Sequence, residues 1–271
     1  MPLVSVVVPT HNRPQMLAEA LASVQAQTLT DYEIIVVSNG ESPQTRQQSQ
    51  AVATLAGARY FAVDEGNLPA ARNFGIASAG GEWIAFLDDD DIWLPHKLER
   101  QVAAAGASRA DMISCDFVEF YPDGREVIKR PRIPQGWTYT EACSHMLHWW
   151  AQPSCVLLRK AAFDCVGGFD SRQRVGEDID LWRRISWRHK INQMDEVLVS
   201  YRAGHMSLSK SRRARFDELC YYLKIYRDTP PDLRWALPSR VSLLRRWFLR
   251  AAMPPWIRHP RKYFAAGAAK P

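Results

Sequence analysis

The chain has 271 residues, 46% of them hydrophobic, which is enough for one substantial domain with a large buried core. Its five cysteines are odd in number and include no Cys-x-x-Cys pair, which argues against a zinc site and favours free thiols in a reducing compartment. No stretch reaches the roughly 18 apolar residues of a membrane span, and the short N-terminal apolar run is typical of a strand rather than a signal peptide, so we expect a cytoplasmic protein.

The net charge of +6 is distributed unevenly along the chain. Residues 206–271 contain 15 Lys and Arg against 4 Asp and Glu, whereas residues 1–205 contain 20 against 25. The basic character belongs to the C-terminal segment, so the overall charge does not indicate nucleic-acid binding. We predict one domain over residues 1–210 and a basic extension over residues 211–271.

Strand and helix patterns alternate through the first part of the chain. Buried-strand patterns cover residues 3–8, 32–40 and 58–63, and helical spacing covers residues 16–27 and 42–56. This alternation predicts an α/β fold with a doubly wound, mostly parallel sheet. Ligands of such sheets bind beyond the carboxyl ends of the strands. We therefore expect residues 9–12, 38–40 and 88–91, which follow predicted strands, to meet in one crevice.

A run of four aspartates, Asp88 to Asp91, follows the predicted strand at residues 83–87. Adjacent carboxylates repel each other, and a divalent cation that also holds phosphate oxygens would supply the missing positive charge. The glycine-rich fingerprints of dinucleotide and P-loop sites are absent. A solvated acidic turn is the alternative, but the apolar segments on both sides make it the weaker interpretation.

Six segments, in order, carry a family resemblance: "VSVVVPTHNRPQMLAEALASVQAQT", "YEIIVVSNGES", "GNLPAARNFGIASAGGEWIAFLDDDDIW", "VGGFDS", "GEDIDLWRRI" and "YRAGHMSLS". Together they make residues 3–210 resemble a family 2 glycosyltransferase. The resemblance implies a GT-A fold, which is a Rossmann-like, mostly parallel sheet flanked by helices. It also implies an inverting transfer of a sugar from a nucleotide-sugar donor.

In that family the acidic run is usually Asp-x-Asp-Asp. The resemblance implies that Asp88 faces the ribose and phosphates, that Asp89 occupies the variable position on the donor side, and that Asp90 binds Mn²⁺ or Mg²⁺. Asp91 is the weaker candidate, since capping of the turn that follows is an alternative role for it. Arg72 matches a basic position beside the diphosphate, with a surface salt bridge as the alternative.

The nucleoside side of the expected site comes from the first two strands. Pro9, Thr10 and Asn12 match the loop that lines the nucleoside pocket in the family. Asn39 stands where the family commonly has an aspartate that pairs with the base. An amide also offers a donor and an acceptor, so a UDP-sugar remains the favoured donor while GDP and dTDP stay open.

The catalytic carboxylate is expected in "GEDIDLWRRI", where apolar spacing predicts a helix that begins near Asp178. The resemblance makes Asp178 the general base and Glu177 an orienting neighbour on the acceptor side, whereas a plain helix cap is the alternative. We expect Asp180 to be solvated. Trp150 and Trp182 are also assigned to the acceptor side, and for Trp150 the alternatives are stacking on a sugar face and core packing.

His205 matches a position where some relatives supply a histidine to the metal or the diphosphate. A lone histidine is more often a packed or exposed residue, so both interpretations stay open.

The extension combines arginines with large apolar residues. Leu243, Leu244, Trp247 and Phe248 share one helical face, which predicts a basic amphipathic helix on an anionic membrane surface. A helix packed on the domain is the alternative. We therefore expect peripheral association with the inner face of the plasma membrane and a saccharide or lipid-linked acceptor in surface polysaccharide assembly.

Two other functions compete with the glycosyltransferase interpretation. A catalytically silent nucleotide-sugar-binding or assembly subunit would account for the missing base-pairing aspartate. A sugar nucleotidyltransferase would use a related sheet, although its Gly-rich basic loop is absent after the first strand.

Overall fold

The computed structural model describes residues 1–64, 66–132, 138, 151–173, 176–204, 224 and 227–236. Its strands are β1 (Val4–Thr10), β2 (Tyr32–Asn39), β3 (Arg59–Val63), β4 (Trp83–Phe86), β5 (Ile92–Trp93), β6 (Met112–Phe120), β7 (Glu126–Lys129), β8 (Leu157–Arg159) and β9 (Ile191–Arg202). Its helices are α1 (Pro14–Gln25), α2 (Pro43–Leu55), α3 (Leu68–Ala77), α4 (Lys97–Ser108), α5 (Lys160–Val166) and α6 (Glu177–Ser186). Short 3-10 turns lie at Pro153–Cys155 and Pro231–Ala236.

The strands form one sheet in the order β3-β2-β1-β4-β8-β6-β9-β5, with β7 beside β6. Neighbouring strands from β3 to β4 are parallel, as the alternating sequence pattern predicts. Beyond β4 the sheet is mixed, because β8 runs antiparallel to both β4 and β6. The α/β class is thus confirmed, and the doubly wound arrangement belongs to the first half of the sheet.

Strand β1 lies at the centre of that half and is buried along its whole length. Val6 and Val8 pack into the core that contains Leu17 of α1, whereas Val7 points to the opposite core with Ile76 of α3. The β-branched run therefore packs on both faces, as a strand covered by helices on each side requires.

Helix α3 lies unusually close to this strand. A Cβ atom at Gly75 would stand 2.5 Å from a methyl carbon of Val7 and 3.2 Å from one of Val37, so a larger residue does not fit without movement. The helix begins with Asn67, whose side chain accepts a hydrogen bond from the Ala70 amide at 3.0 Å. This packing places Arg72 of α3 beside the end of β4.

Several predictions fall on residues outside the described ranges: Trp150, His205 and the amphipathic face at residues 243–248. In the ranges that are described, no helix is both long enough and apolar enough to cross a bilayer.

Candidate active site

Polar side chains from the ends of β1, β2 and β4 meet at one edge of the sheet. The Thr10 hydroxyl donates to Asp89 at 2.8 Å, and Nδ1 of His11 lies 2.6 Å from the carbonyl oxygen of Asn39. These contacts bring the three strand-end segments together, as predicted.

Arg13 neutralises two of the four aspartates. Its guanidinium lies 2.7 Å from an oxygen of Asp89 and 2.5 Å from an oxygen of Asp90. Arg13 is the N-cap residue of α1, directly after the β1 loop. An arginine fork holds two carboxylate oxygens at once, which explains how adjacent acids are tolerated at this strand end.

Asp89 supports the loop after β1. Its side chain is 1% exposed, with one oxygen paired to Arg13 and the other accepting from Thr10 and from the His11 amide. Burial raises the pKa of Asp89 to about 7, against the opposing effect of Arg13. The expectation of a donor contact from Asp89 is therefore corrected, since its carboxylate is enclosed and holds protein groups.

Asp91 is also enclosed. Its carboxylate accepts from the Ser154 hydroxyl at 2.6 Å and from the Arg202 amide at 3.1 Å, while the Ser154 oxygen accepts from the Asp88 amide at 3.0 Å. Burial raises the pKa of Asp91 well above its ordinary value. Asp91 thus connects the acidic turn to the end of β9 and to the turn before β8, which leaves Asp88 and Asp90 as the more exposed pair.

Arg72 bridges the two halves of the crevice. It is 2% exposed, and its guanidinium lies 2.6 Å from Asp88 and 3.0 Å from Glu177. Burial alone would lower the pKa of Arg72, but the two carboxylates outweigh it and raise the pKa. The alternative of a surface salt bridge is wrong, because this ion-pair network is buried.

The nucleoside side is held by another buried carboxylate, Glu41. It accepts from the Asn12 amide at 2.8 Å and from the hydroxyls of Ser38 and Ser49 at 2.7 and 3.0 Å. Asn12 has a left-handed backbone with φ 58, which this hydrogen bond helps to fix. Glu41 is 5% exposed and fully engaged, so it does not replace the base-pairing aspartate of the family.

Asn39 is used in part by the protein itself. Its side-chain oxygen accepts from the Asn67 amide at 2.7 Å and so ties β2 to the start of α3. Pro9 and Thr10 form the buried end of β1 beside Val37 and Ser38 of β2. These residues shape the crevice that the sequence assigns to the nucleoside.

Glu177 and Asp178 lie at the N-terminus of α6, where the helix dipole favours negative charge. Burial, reinforced by Asp178, raises the pKa of Glu177 to about 7. Burial also raises the pKa of Asp178, although Arg72 opposes the shift. A half-buried carboxylate with a raised pKa holds a proton better than one in water, as a general base must.

Asp180 is not solvated, contrary to the expectation from sequence. It is 1% exposed and pairs with Arg183 and Arg184, each at 2.9 Å, and Lys224 lies 3.5 Å away. Arg183 also donates to the Thr229 hydroxyl at 2.9 Å. Lys224 and Thr229, in the described part of the extension, therefore contact charged side chains of α6 that would otherwise face water.

Trp182 does not face an acceptor. It is 1% exposed, packs edge to face with Phe86 at 5.7 Å and donates its indole N–H to the Ala151 carbonyl at 3.0 Å. The acceptor-side assignment of Trp182 is corrected to core packing. Trp150 and His205 lie outside the described residues.

The acidic turn has the chemistry for a hard divalent cation. Within the described part of the chain no three Asp, Glu, His or Cys side chains are grouped as a metal cage. However, Mg²⁺ sites in phosphate chemistry commonly use one or two carboxylates and take the remaining oxygens from substrate and water. Asp88 and Asp90, which are 24% and 13% exposed, fit that kind of site if the substrate supplies phosphates.

Sequence reasoning overlooked Arg13, Glu41 and Ser154. A basic residue in "THNRP" after the first strand was a usable signal, because four acids were expected at the same sheet edge. Glu41 was visible in "SNGES" but was not assigned a role. Nothing in the local pattern around Ser154 indicates its contacts with the acidic turn.

Comparison with known proteins places this geometry in a family. Residues 5–211 match the model of glycosyl transferase family 2. An uncharacterized glycosyltransferase of Rickettsia typhi is 27% identical over 231 residues, covering 80% of this chain and 69% of that protein. Another, of Rickettsia felis, is 37% identical over 235 residues, covering 82% of this chain but only 37% of its own length.

Solved structures agree on the fold. S. aureus TarS (residues 1–349) in complex with UDP-GlcNAc superposes with a TM-score of 0.66 at 16% identity, covering 98% of this chain and 76% of that one. The mannosyltransferase PcManGT of Pyrobaculum calidifontis, in complex with GDP-Man and Mn²⁺, gives a TM-score of 0.62 at 18% identity, covering 100% and 81%. The chain therefore belongs to glycosyl transferase family 2 and has the GT-A fold.

Proposed function

We propose that this chain is an inverting, metal-dependent glycosyltransferase that moves a sugar from a nucleotide sugar, with a UDP-sugar favoured, to a saccharide or lipid-linked saccharide. The observation that carries the proposal is the Arg72 bridge between Asp88 at the end of β4 and Glu177 at the start of α6. It brings a carboxylate suited to the donor side and the candidate base Asp178 to one crevice.

On the donor side, Pro9, Thr10 and Asn12 line the nucleoside, with Asn39 at the base. Asp88 faces the ribose and phosphates, and Asp90 holds the cation, with His205 as a further candidate ligand. A bound Mn²⁺ or Mg²⁺ supplies positive charge to the leaving diphosphate.

TarS was solved with UDP-GlcNAc and PcManGT with GDP-Man and Mn²⁺, so a donor screen for this chain must include both bases.

On the acceptor side, Asp178 takes the hydroxyl proton as the acceptor oxygen forms its bond to the anomeric carbon. The bond between that carbon and the diphosphate oxygen breaks, and the nucleoside diphosphate leaves with the electron pair. Because attack and departure occur on opposite faces in one displacement, the anomeric configuration inverts. Glu177 and Arg72 hold the start of α6, and with it Asp178, in place.

The basic extension is proposed to hold the protein at the inner face of the plasma membrane, where a lipid-linked acceptor of surface polysaccharide assembly would be available. The support is the excess of Lys and Arg after residue 205 and the large apolar residues among them.

Liposome co-sedimentation tests the membrane proposal with the full chain. One variant replaces three arginines of the extension by glutamine: Arg245, Arg246 and Arg250. It is expected to bind anionic vesicles more weakly, because each basic residue near a membrane surface contributes about 1 kcal/mol to binding. A control set on the domain is expected to leave binding unchanged: Arg100, Arg125 and Arg188. Equal effects of the two sets would contradict a specific role of the extension.

A product assay tests the proposed reaction and separates it from its competitors. Nucleoside diphosphate released from one donor in the presence of membrane lipid extract, together with an inverted linkage in the product by NMR, is the expected result. Release of pyrophosphate would indicate nucleotidyl transfer. Donor binding without turnover on any extract would indicate a silent subunit.

A further inference from the structure

We propose that Arg13 is a positioning residue of the donor site: its guanidinium holds Asp90 while no donor is bound and gives up that contact to the divalent cation, so Arg13 sets the affinity of the site for the cation. This inference rests on the proposed function for its cation and donor.

The two contacts of Arg13 differ in kind. Asp89 is 1% exposed and is fixed from its other oxygen by Thr10 and the His11 amide, so the pair of Arg13 with Asp89 anchors the arginine. Asp90 is 13% exposed, and the Arg13 side chain itself is 37% exposed. The contact with Asp90 is therefore the one that can open while Arg13 stays attached to Asp89.

The contact with Asp90 stands where the cation would bind. One guanidinium nitrogen lies 2.5 Å from an Asp90 oxygen, and a Mg²⁺ ion needs such oxygens at about 2.1 Å in strict geometry. Two cationic groups on one carboxylate repel each other. Binding of a cation at Asp90 is therefore opposed by Arg13 until further negative charge, such as a diphosphate, arrives.

The backbone around Asp90 is held independently of Arg13. The Asp90 carbonyl accepts from the Arg202 side chain at 3.0 Å, and the neighbouring Asp91 carboxylate accepts from the Arg202 amide at 3.1 Å. Loss of the Arg13 contact should thus leave the Asp90 main chain in place. Arg13 therefore acts on the Asp90 carboxylate, while Arg202 holds the main chain at Asp90.

Titration of the full chain with Mn²⁺ alone, followed by the electron paramagnetic resonance signal of free Mn²⁺, tests the proposal without any turnover. Arg13→Met is expected to lower the Kd for Mn²⁺ about tenfold or more, because it removes a competing positive charge at contact distance. Adding Asp90→Asn to Arg13→Met should abolish the gain. Arg100→Met removes the same charge from an exposed pair with Glu196 and is expected to leave the Kd close to that of wild type.

Arg13→Lys is the second variant, in case the methionine variant does not fold. A lysine cannot bridge both acids, and the buried Asp89 is expected to retain it, so Arg13→Lys should also tighten Mn²⁺ binding. An unchanged Kd in both Arg13 variants would overturn the proposal and make Arg13 a structural partner of Asp89 alone. An equal gain in Arg100→Met would also overturn it, because the lower net positive charge of the protein would then explain the tighter Mn²⁺ binding without any contact to Asp90.

The same samples, titrated with nucleotide sugars, keep this inference distinct from the proposed function. Tighter Mn²⁺ binding by Arg13→Met without binding of any donor would leave the Arg13 competition standing and remove the donor site. Metal-dependent donor binding with an unchanged Kd for Mn²⁺ in the Arg13 variants would support the donor site and overturn the Arg13 proposal.

Discussion

Replacing Arg72 by methionine should destabilise the fold far more than loss of an ordinary ion pair. Arg72 is 2% exposed, and its two partners, Asp88 and Glu177, are 24% and 11% exposed. Breaking a buried pair by removing one partner costs about 3–5 kcal/mol, because a charge is left without compensation. Asp88 can recover part of its hydration, so we expect a loss near the lower end, about 3 kcal/mol.

Urea unfolding followed by tryptophan fluorescence measures this loss. Arg100→Met, which breaks an exposed pair with Glu196, is the matched control and should cost less than about 1 kcal/mol. The loss in Arg72→Met should grow as the pH rises above about 7, because the pKa of Glu177 is about 7 with Arg72 in place and higher without it, so only the wild type ionises Glu177 readily in that range. A loss equal to that of the control at all pH values would refute the buried bridge.

Three further outcomes are expected. Asp178→Asn should lower kcat about 10²–10⁴-fold with the donor Kd nearly unchanged, and retained transfer would remove Asp178 as the base. In the wild type kcat should fall on acidification, with a midpoint above the ordinary carboxyl range because burial raises the pKa of Asp178; a rate that stays flat down to the ordinary range would contradict this role. Gly75→Ala should destabilise by about 1–3 kcal/mol through its clash with Val7, whereas Gly106→Ala, where a Cβ meets nothing within 4 Å, should stabilise slightly; equal effects in thermal unfolding would refute the close packing of α3.

Local pattern was sufficient to predict the first half of the fold. The alternation of Val6, Val7 and Val8 between two cores is a property of any strand covered on both faces. Ser42 caps α2 by accepting from the Thr45 amide at 3.2 Å, next to the predicted start at residue 42. These features are determined by residues close together in the sequence, so they can be predicted from a short segment of it.

The later strands were harder because their pairing is non-local. The parallel pairing of β6 with β9 joins Met112 to Ile191, and β8 inserts between β4 and β6 in the opposite direction. No periodicity in the chain specifies which distant strands become neighbours. The mixed second half of the sheet therefore could not be predicted from the pattern of apolar residues.

The site shows the same division. The acidic turn and the start of α6 were predicted by position, but their ion-pair partners are distant in the sequence. Arg13 and Asp90 are 77 residues apart, and Arg72 and Glu177 are 105 residues apart. The pairs of Asp180 with Arg183 and Arg184 follow helical spacing and were available from its own helix, whereas the contact with Lys224 was not. Residue type identified the candidates, and tertiary contact decided which of them are enclosed.

Calorimetric titration with a panel of nucleotide sugars tests the central claim most directly. The wild type and Asp90→Ala would be compared with Mn²⁺ and with chelator, and the panel would include UDP- and GDP-sugars. Metal-dependent binding of one donor, lost in Asp90→Ala, is the predicted result. Absence of metal-dependent binding for every donor would contradict a nucleotide-sugar site at the four aspartates.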